Sequence, residues 1–178
     1  MKKPISGKLV DGLFRRVLAG DVTEDLKGTL ATLGLDLSPA KLDAEYPRAL
    51  WYEAVAATAK ALYGHQPPEQ QLRHLGLHVI DSLQRRHIVK GAWIAMARLA
   101  GPRRALRQAT EYLEHSPVKL VLTERSKHDF EILVEDHEQP DFLAGLLEGA
   151  ITLLGGKHTH VVVAGQRGHS TAFSATWR

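Results

Sequence analysis

The fold turns on the stretch Gly91-Ala92-Trp93-Ile94-Ala95-Met96-Ala97-Arg98-Leu99-Ala100-Gly101-Pro102-Arg103-Arg104-Ala105-Leu106-Arg107. Its first ten residues are the most apolar helical segment of the chain, with Arg98 their one charge. Gly101 and Pro102 then punctuate it, and proline at the first position of a helix starts the next one. That next helix opens with Arg103, Arg104 and Arg107, three cations near a helix N-terminus, where the macrodipole disfavours positive charge. The pattern predicts a central helix over Ala92–Ala100, largely out of solvent, handing over to a cationic one.

Toward the N-terminus the signals are helical. Lys8-Leu9-Val10 reads as a short strand. Thr23 is an N-cap, with Glu24 and Asp25 in the first turn and Leu26, Leu30 and Leu33 at helical spacing up to Gly34. Ser38-Pro39 starts a short helix, and Tyr46-Pro47 opens a long one striped by Leu50/Trp51, Ala54/Val55, Thr58 and Ala61/Leu62. From Pro67-Pro68 another helix carries Leu72, Leu75/Gly76, Val79 and Leu83 on one face and His74, His78, Asp81 and Arg85 on the other. It contains no breaker at Arg85-Arg86-His87 and is free to run on toward Gly91.

Toward the C-terminus the period changes from 3.6 to 2. Leu120 and Leu122 alternate with Lys119, Val121 and Thr123, and Phe130, Ile132 and Val134 alternate with charged neighbours, which is a hairpin with one buried face. Pro140 begins a helix with Leu143, Leu146/Leu147, Ala150 and Leu154, stopped by Gly155-Gly156. A second hairpin follows, turning at Gly165-Gln166-Arg167-Gly168. The expected fold class is α+β, a helical layer packed on one side of a small antiparallel sheet of two hairpins. It is read as a single domain, 1–178, with a helical part over about 1–115 and a hairpin–helix–hairpin part over about 116–178.

Composition narrows the function classes. With 178 residues and no cysteine, disulfides, thiolate metal sites and a cysteine nucleophile are excluded. No apolar run follows Met1-Lys2-Lys3 and no window approaches a membrane span, so a cytoplasmic protein is expected. The net charge of +3 and pI near 9.2 are mildly basic.

Several spaced groups together carry a resemblance: Gly12-Leu13-Phe14; Tyr46-Pro47 followed by Trp51; Leu75-Gly76; Leu99-Ala100-Gly101-Pro102-Arg103-Arg104; and Phe142-Leu143-Ala144-Gly145 leading to Leu147-Glu148-Gly149. Over about Lys8 to Val163 the chain resembles the myxobacterial paralogous family of unknown function. It departs from that pattern before the first strand, at Glu111-Tyr112-Leu113-Glu114-His115-Ser116. More distantly, the order of elements looks like the fold shared by four-vinyl-reductase domains, haem–nitric-oxide-binding domains and vesicle-tethering subunits. That resemblance implies a small α+β domain holding a ligand or partner between helices and sheet, and flat helical faces that would suit a homodimer. The haem branch relies on a histidine ligand and a Tyr-x-Ser-x-Arg motif, and that motif is absent here. The zinc-dependent branch relies on cysteines, so no cofactor is expected.

The candidate site residues fall into three groups. Arg98, Arg103, Arg104 and Arg107 form a partner or anion surface, alternatively paired by the protein's own carboxylates around Asp136 and Glu138. Trp51, Trp93 and Phe142 are core aromatics that would line any pocket. His74, His78 and Asp81 stand at i, i+4 and i+7 and are weak metal candidates; the favoured reading is a solvated face with an Asp81–Arg85 pair, and no metal is expected. Gly145 and Gly149 form a ridge suited to close helix packing. No Gly-x-Ser-x-Gly, paired-carboxylate or nucleotide fingerprint occurs. The expected function is a non-catalytic protein-interaction or small-ligand-sensing domain, binding a protein partner or a small apolar ligand. The alternatives are a nucleic-acid-binding module using the Arg103/Arg104/Arg107 surface, and an enzyme of unrecognised type.

Overall fold

The structure, a computed structural model, describes residues 4–86, 91–113, 119–135 and 137–178; within the helix at 91–113, side chains are described for residues 94–108. Strand β1 (Ile5–Ser6) pairs antiparallel with β2 (Glu45–Tyr46). The segment read as a strand at Lys8–Val10 is helical: α1 (Gly7–Val10) begins because the Ser6 hydroxyl accepts from the Lys8 N–H at 3.2 Å. It runs into a π-helix over Asp11–Val17, closed by Leu18 N–H donating to the Leu13 carbonyl at 2.9 Å. Helix α2 (Glu24–Thr32) is capped by the Thr23 hydroxyl, which accepts from Leu26 N–H at 3.3 Å.

No helix starts at Ser38-Pro39. Asp36 Oδ1 accepts from both the Ser38 N–H and hydroxyl, fixing a turn, and the Arg15 guanidinium gathers the carbonyls of Leu37, Pro39 and Ala40 that a helix would have used. Those Ser38 hydrogen bonds hold the Asp36 carboxyl below its ordinary pKa.

Helices α3 (Arg48–Tyr63) and α4 (Pro68–Arg85) follow, and α4 ends at Arg85 with Arg86 at its C-cap. Helix α5 (Gly91–Leu113) is two helices joined at Gly101, whose φ of 77° and ψ of 164° leave the helical region. Strands β3 (Leu120–Ser126) and β4 (Asp129–Glu135), helix α6 (Pro140–Leu153), and strands β5 (His160–Arg167) and β6 (Ser170–Thr176) complete the chain. The two hairpins join through β4 and β6 into one antiparallel sheet of order β3-β4-β6-β5. This is the α+β architecture expected. No helix among the described residues is long and apolar enough to cross a membrane.

Two cores divide the burial. The first joins Phe14, Leu18, Leu30, Val55, Leu75 and Phe142 within the helical layer. The second lies between α6 and the inner face of the sheet: Phe130, Ile132, Ile151, Val161, Phe173 and Trp177. Helix α6 serves both: α4 packs on α6, α3 on α4 and α2 on α3, so only part of the layer meets the sheet. It approaches α4 at backbone distance: a Cβ on Gly76 would collide with the Phe142 carbonyl and one on Gly145 with the Arg73 carbonyl, while Gly149 lies against Ile80. Missing side chains let these helices touch.

The central placement of Ala92–Ala100 is corrected. Ile94 is buried at 8% exposure, but Met96 and Leu99 stand 66% and 89% exposed, with Arg98 and Ala100 also in solvent. The reason is composition. Ala95, Ala97 and Ala100 favour a helix by propensity alone and bury little area, so the segment holds its shape without a core around it.

Candidate functional site

The break at Gly101 sets up the site. Glycine tolerates the positive φ, and Pro102 restarts the helix with Arg103, Arg104 and Arg107 in its opening turns. Arg103 and Arg107 are one turn apart and reach the same residue on β3: Arg103 Nη2 lies 2.8 Å from Glu124 Oε1, and Arg107 pairs with Glu124 Oε2. Glu124 faces the helices because it continues the inward parity of Leu120 and Leu122, opposite Phe130. Burial pushes its carboxyl up, yet hydrogen bonds from Arg103 and Arg107 together with their charges hold its pKa below the ordinary value.

Across from the arginines, the β3–β4 turn carries Lys127 and His128. Trp177 is 5% exposed, stacks on Phe130 at 5.4 Å and meets the His128 ring at 6.1 Å. The Trp177 backbone N–H donates to the His128 carbonyl at 3.2 Å, fixing the turn over the indole. Together these residues line a groove of roughly 590 Å³ between the α5 break and the end of the sheet. Arg104 is exposed and, like Lys127, forms no ion pair among the described residues. The groove therefore gathers Arg103, Arg104, Arg107 and Lys127, of which Arg103 and Arg107 share the Glu124 carboxylate. Among the described residues no nucleophile–base pair lines it.

Arg98 stands apart. Its Nε donates to the Leu153 carbonyl at 2.7 Å, tying the first half of α5 to the C-terminus of α6, where the dipole favours a cation. Asp136 lies outside the described residues.

The other sequence-predicted residues are placed as follows. Trp51 packs edge-on against Phe14 at 6.0 Å, and both it and Phe142 belong to the first core; the Trp93 side chain lies outside the described residues. His74 is hydrogen-bonded to Gln66 and Asp81 is paired with Arg85. His78 is built into a chain that sequence spacing did not reveal: Tyr63 hydroxyl to Nδ1 at 2.9 Å, then Nε2 to Asp21 Oδ2 at 3.1 Å. Burial and the nearby Asp21 raise the Tyr63 pKa. Among the described residues no three such side chains gather as metal ligands. Asp21 carried no signal because it meets His78 across 57 positions. Glu124 did carry one: a carboxylate on the apolar parity of a strand requires a cation above it.

Residues 3–178 match the family described as Protein of unknown function (DUF2378). The chain belongs to this family. A search of curated proteins returns no match to this DUF2378 chain. Solved structures do match it. A mutant of the K. algicida H-NOX protein, Fe(II) and unliganded, is similar at 10% identity and TM-score 0.66, covering 98% of this chain and 97% of that one. An oxygen-binding H-NOX domain related to soluble guanylate cyclases is similar at 12% identity and TM-score 0.60, covering 98% and 95%. A third match, 14% identical with TM-score 0.59 over 98% and 95%, is described by protein-induced porphyrin distortion that modulates haem redox potential. The DUF2378 chain thus has the H-NOX fold.

That fold raises the question of haem. Haem iron is held by histidine, cysteine, methionine or tyrosine. The core between α6 and the sheet contains none of these among its described residues, and the chain has no cysteine. His74 and His78 are engaged at the surface of α4, His137 Nδ1 accepts from Gln139 N–H, and Met96 is exposed. Among its described residues, the core between α6 and the sheet thus offers haem iron no ligand.

Proposed function

We propose that this DUF2378 chain is a non-catalytic ligand-sensing domain whose ligand seats in the groove at the α5 break. The observation that carries the reading is the grouping of Arg103, Arg104, Arg107 and Lys127 along one groove, where Arg103 and Arg107 share the carboxylate of Glu124. The fold it shares with H-NOX domains supports a sensing role, and the absence of a nucleophile–base pair in the groove supports binding without turnover. A nucleic-acid reading of the same surface is less well supported. The cations gather at one point, whereas phosphate tracking needs them spread along a strip.

The test is a thermal-shift panel of anionic, neutral and cationic small molecules on the full chain and on Arg104→Glu. At least one class is expected to raise the melting temperature of the wild type and not of the variant, and the compound is expected to be recovered unchanged. Recovery of a product would make the protein an enzyme, and no response in any class would remove the reading.

A further inference from the structure

We infer that the ligand of this groove is a small, doubly charged oxyanion of the phosphate class, which takes over the guanidinium groups now held by Glu124. The inference rests on the reading of the groove as a ligand site and names the chemistry it selects. Glu124 already occupies an oxyanion position: each of its two oxygens is taken by a different arginine, Oε1 by Arg103 and Oε2 by Arg107. Two guanidinium groups from successive turns of one helix converge on it, each through Nη2, as two cations can share one oxyanion. Arg103 and Arg107 share that one carboxylate. Arg104 and Lys127 line the same groove and meet no carboxylate among the described residues.

A monoanion would leave the groove cationic, as Glu124 does. An incoming dianion with three or more oxygens can engage Arg103 and Arg107 where Glu124 does and still offer oxygens to Arg104 and Lys127. The size of the groove, roughly 590 Å³, suits a small molecule. The exchange also has a structural consequence. Glu124 belongs to β3 and the arginines to α5, so a ligand that displaces it removes a tie between helix and sheet, and occupancy is reported as a loosened α5.

Calorimetric titration of the full chain with inorganic pyrophosphate, inorganic phosphate and acetate, without divalent metal and at low salt, tests this. Inorganic phosphate, mainly the dianion at slightly alkaline pH, and pyrophosphate are each expected to bind at one site, and acetate not at all. Arg104→Gln is expected to weaken pyrophosphate by about tenfold or more with an unchanged melting temperature, and Glu124→Gln to tighten it by about tenfold because the internal competitor is gone. The inference is overturned if neither phosphate species binds at millimolar concentration, or if Arg104→Gln binds pyrophosphate as wild type does. It is equally overturned if a phosphoserine peptide or duplex DNA binds while pyrophosphate does not. Should a neutral or cationic compound shift the wild type but not Arg104→Glu, the groove remains a ligand site and only the oxyanion is lost.

Discussion

His137 is the residue whose surroundings speak most directly to pH. Burial, and then the charge of Arg48, lower its pKa from 6.5 to about 4, and its Nδ1 accepts the Gln139 N–H, which requires the neutral ring. The unfolded chain protonates this histidine near pH 6.5 and the folded chain only near 4. Between those values the unfolded state binds more protons, so stability rises with pH across the window and is lowest below it. At about 1.4 kcal/mol per unit the full difference approaches about 3 kcal/mol. Urea melts from pH 4 to 7.5 should show this slope, and His137→Gln should flatten it; a variant with the wild-type slope would assign it elsewhere. The chain Tyr63–His78–Asp21 makes a second residue-scale test. His78→Ala strands the Tyr63 hydroxyl and the Asp21 carboxylate, both half-buried, and should cost about 1–3 kcal/mol in the same melts.

At the scale of elements, α6 and α4 depend on what is missing from them. Gly145→Val should force the two helices apart and destabilise by about 1–3 kcal/mol, whereas the same change at Gly12, where an added Cβ meets nothing within 4 Å, should cost far less. Chemical denaturation of the pair decides it. The elements also show how much the sequence made legible. Alternation from Leu120 and from Phe130 places both strands and their inward faces, because a one-residue slip would expose the whole apolar set. Thr23 and Pro140 mark helix starts by chemistry that acts within a single turn. The loop at Ser38 failed because the rival to a helix there, Arg15, lies 22 positions or more away. The exposure of α5 failed because an alanine-rich segment looks apolar in composition while demanding little burial. Of the groove, the arginines and the break at Gly101 were legible; Lys127, His128 and Trp177 join it only when β6 returns beside β4.

For the whole molecule, one side chain spans the layers. Glu148 of α6 pairs with Arg73 of α4 and accepts the Val161 N–H of β5 at 3.0 Å, so helical layer, connecting helix and sheet meet at one carboxylate. With both partners mostly out of solvent, Glu148→Ala should cost about 2–3 kcal/mol, leaving a half-buried guanidinium and an amide without acceptors. Glu148→Gln should recover part of the loss, since its carbonyl can still accept from Val161. Equal losses in the two variants would show that the charge matters and the amide contact does not.

The sheet ends on β5, which pairs only with β6 among the described residues and leaves Val162 and Val163 each 39% exposed. Its register shifts between Val163 and Gly165, where φ reaches 138°. A foreign strand zipping along this rim would find a straight template only over His160–Val163 before the spacing of its partners fails. Four residues fall short of the five or six of a typical strand. Polymerisation by strand addition is thereby checked by shape along this rim, where apolar side chains would invite it.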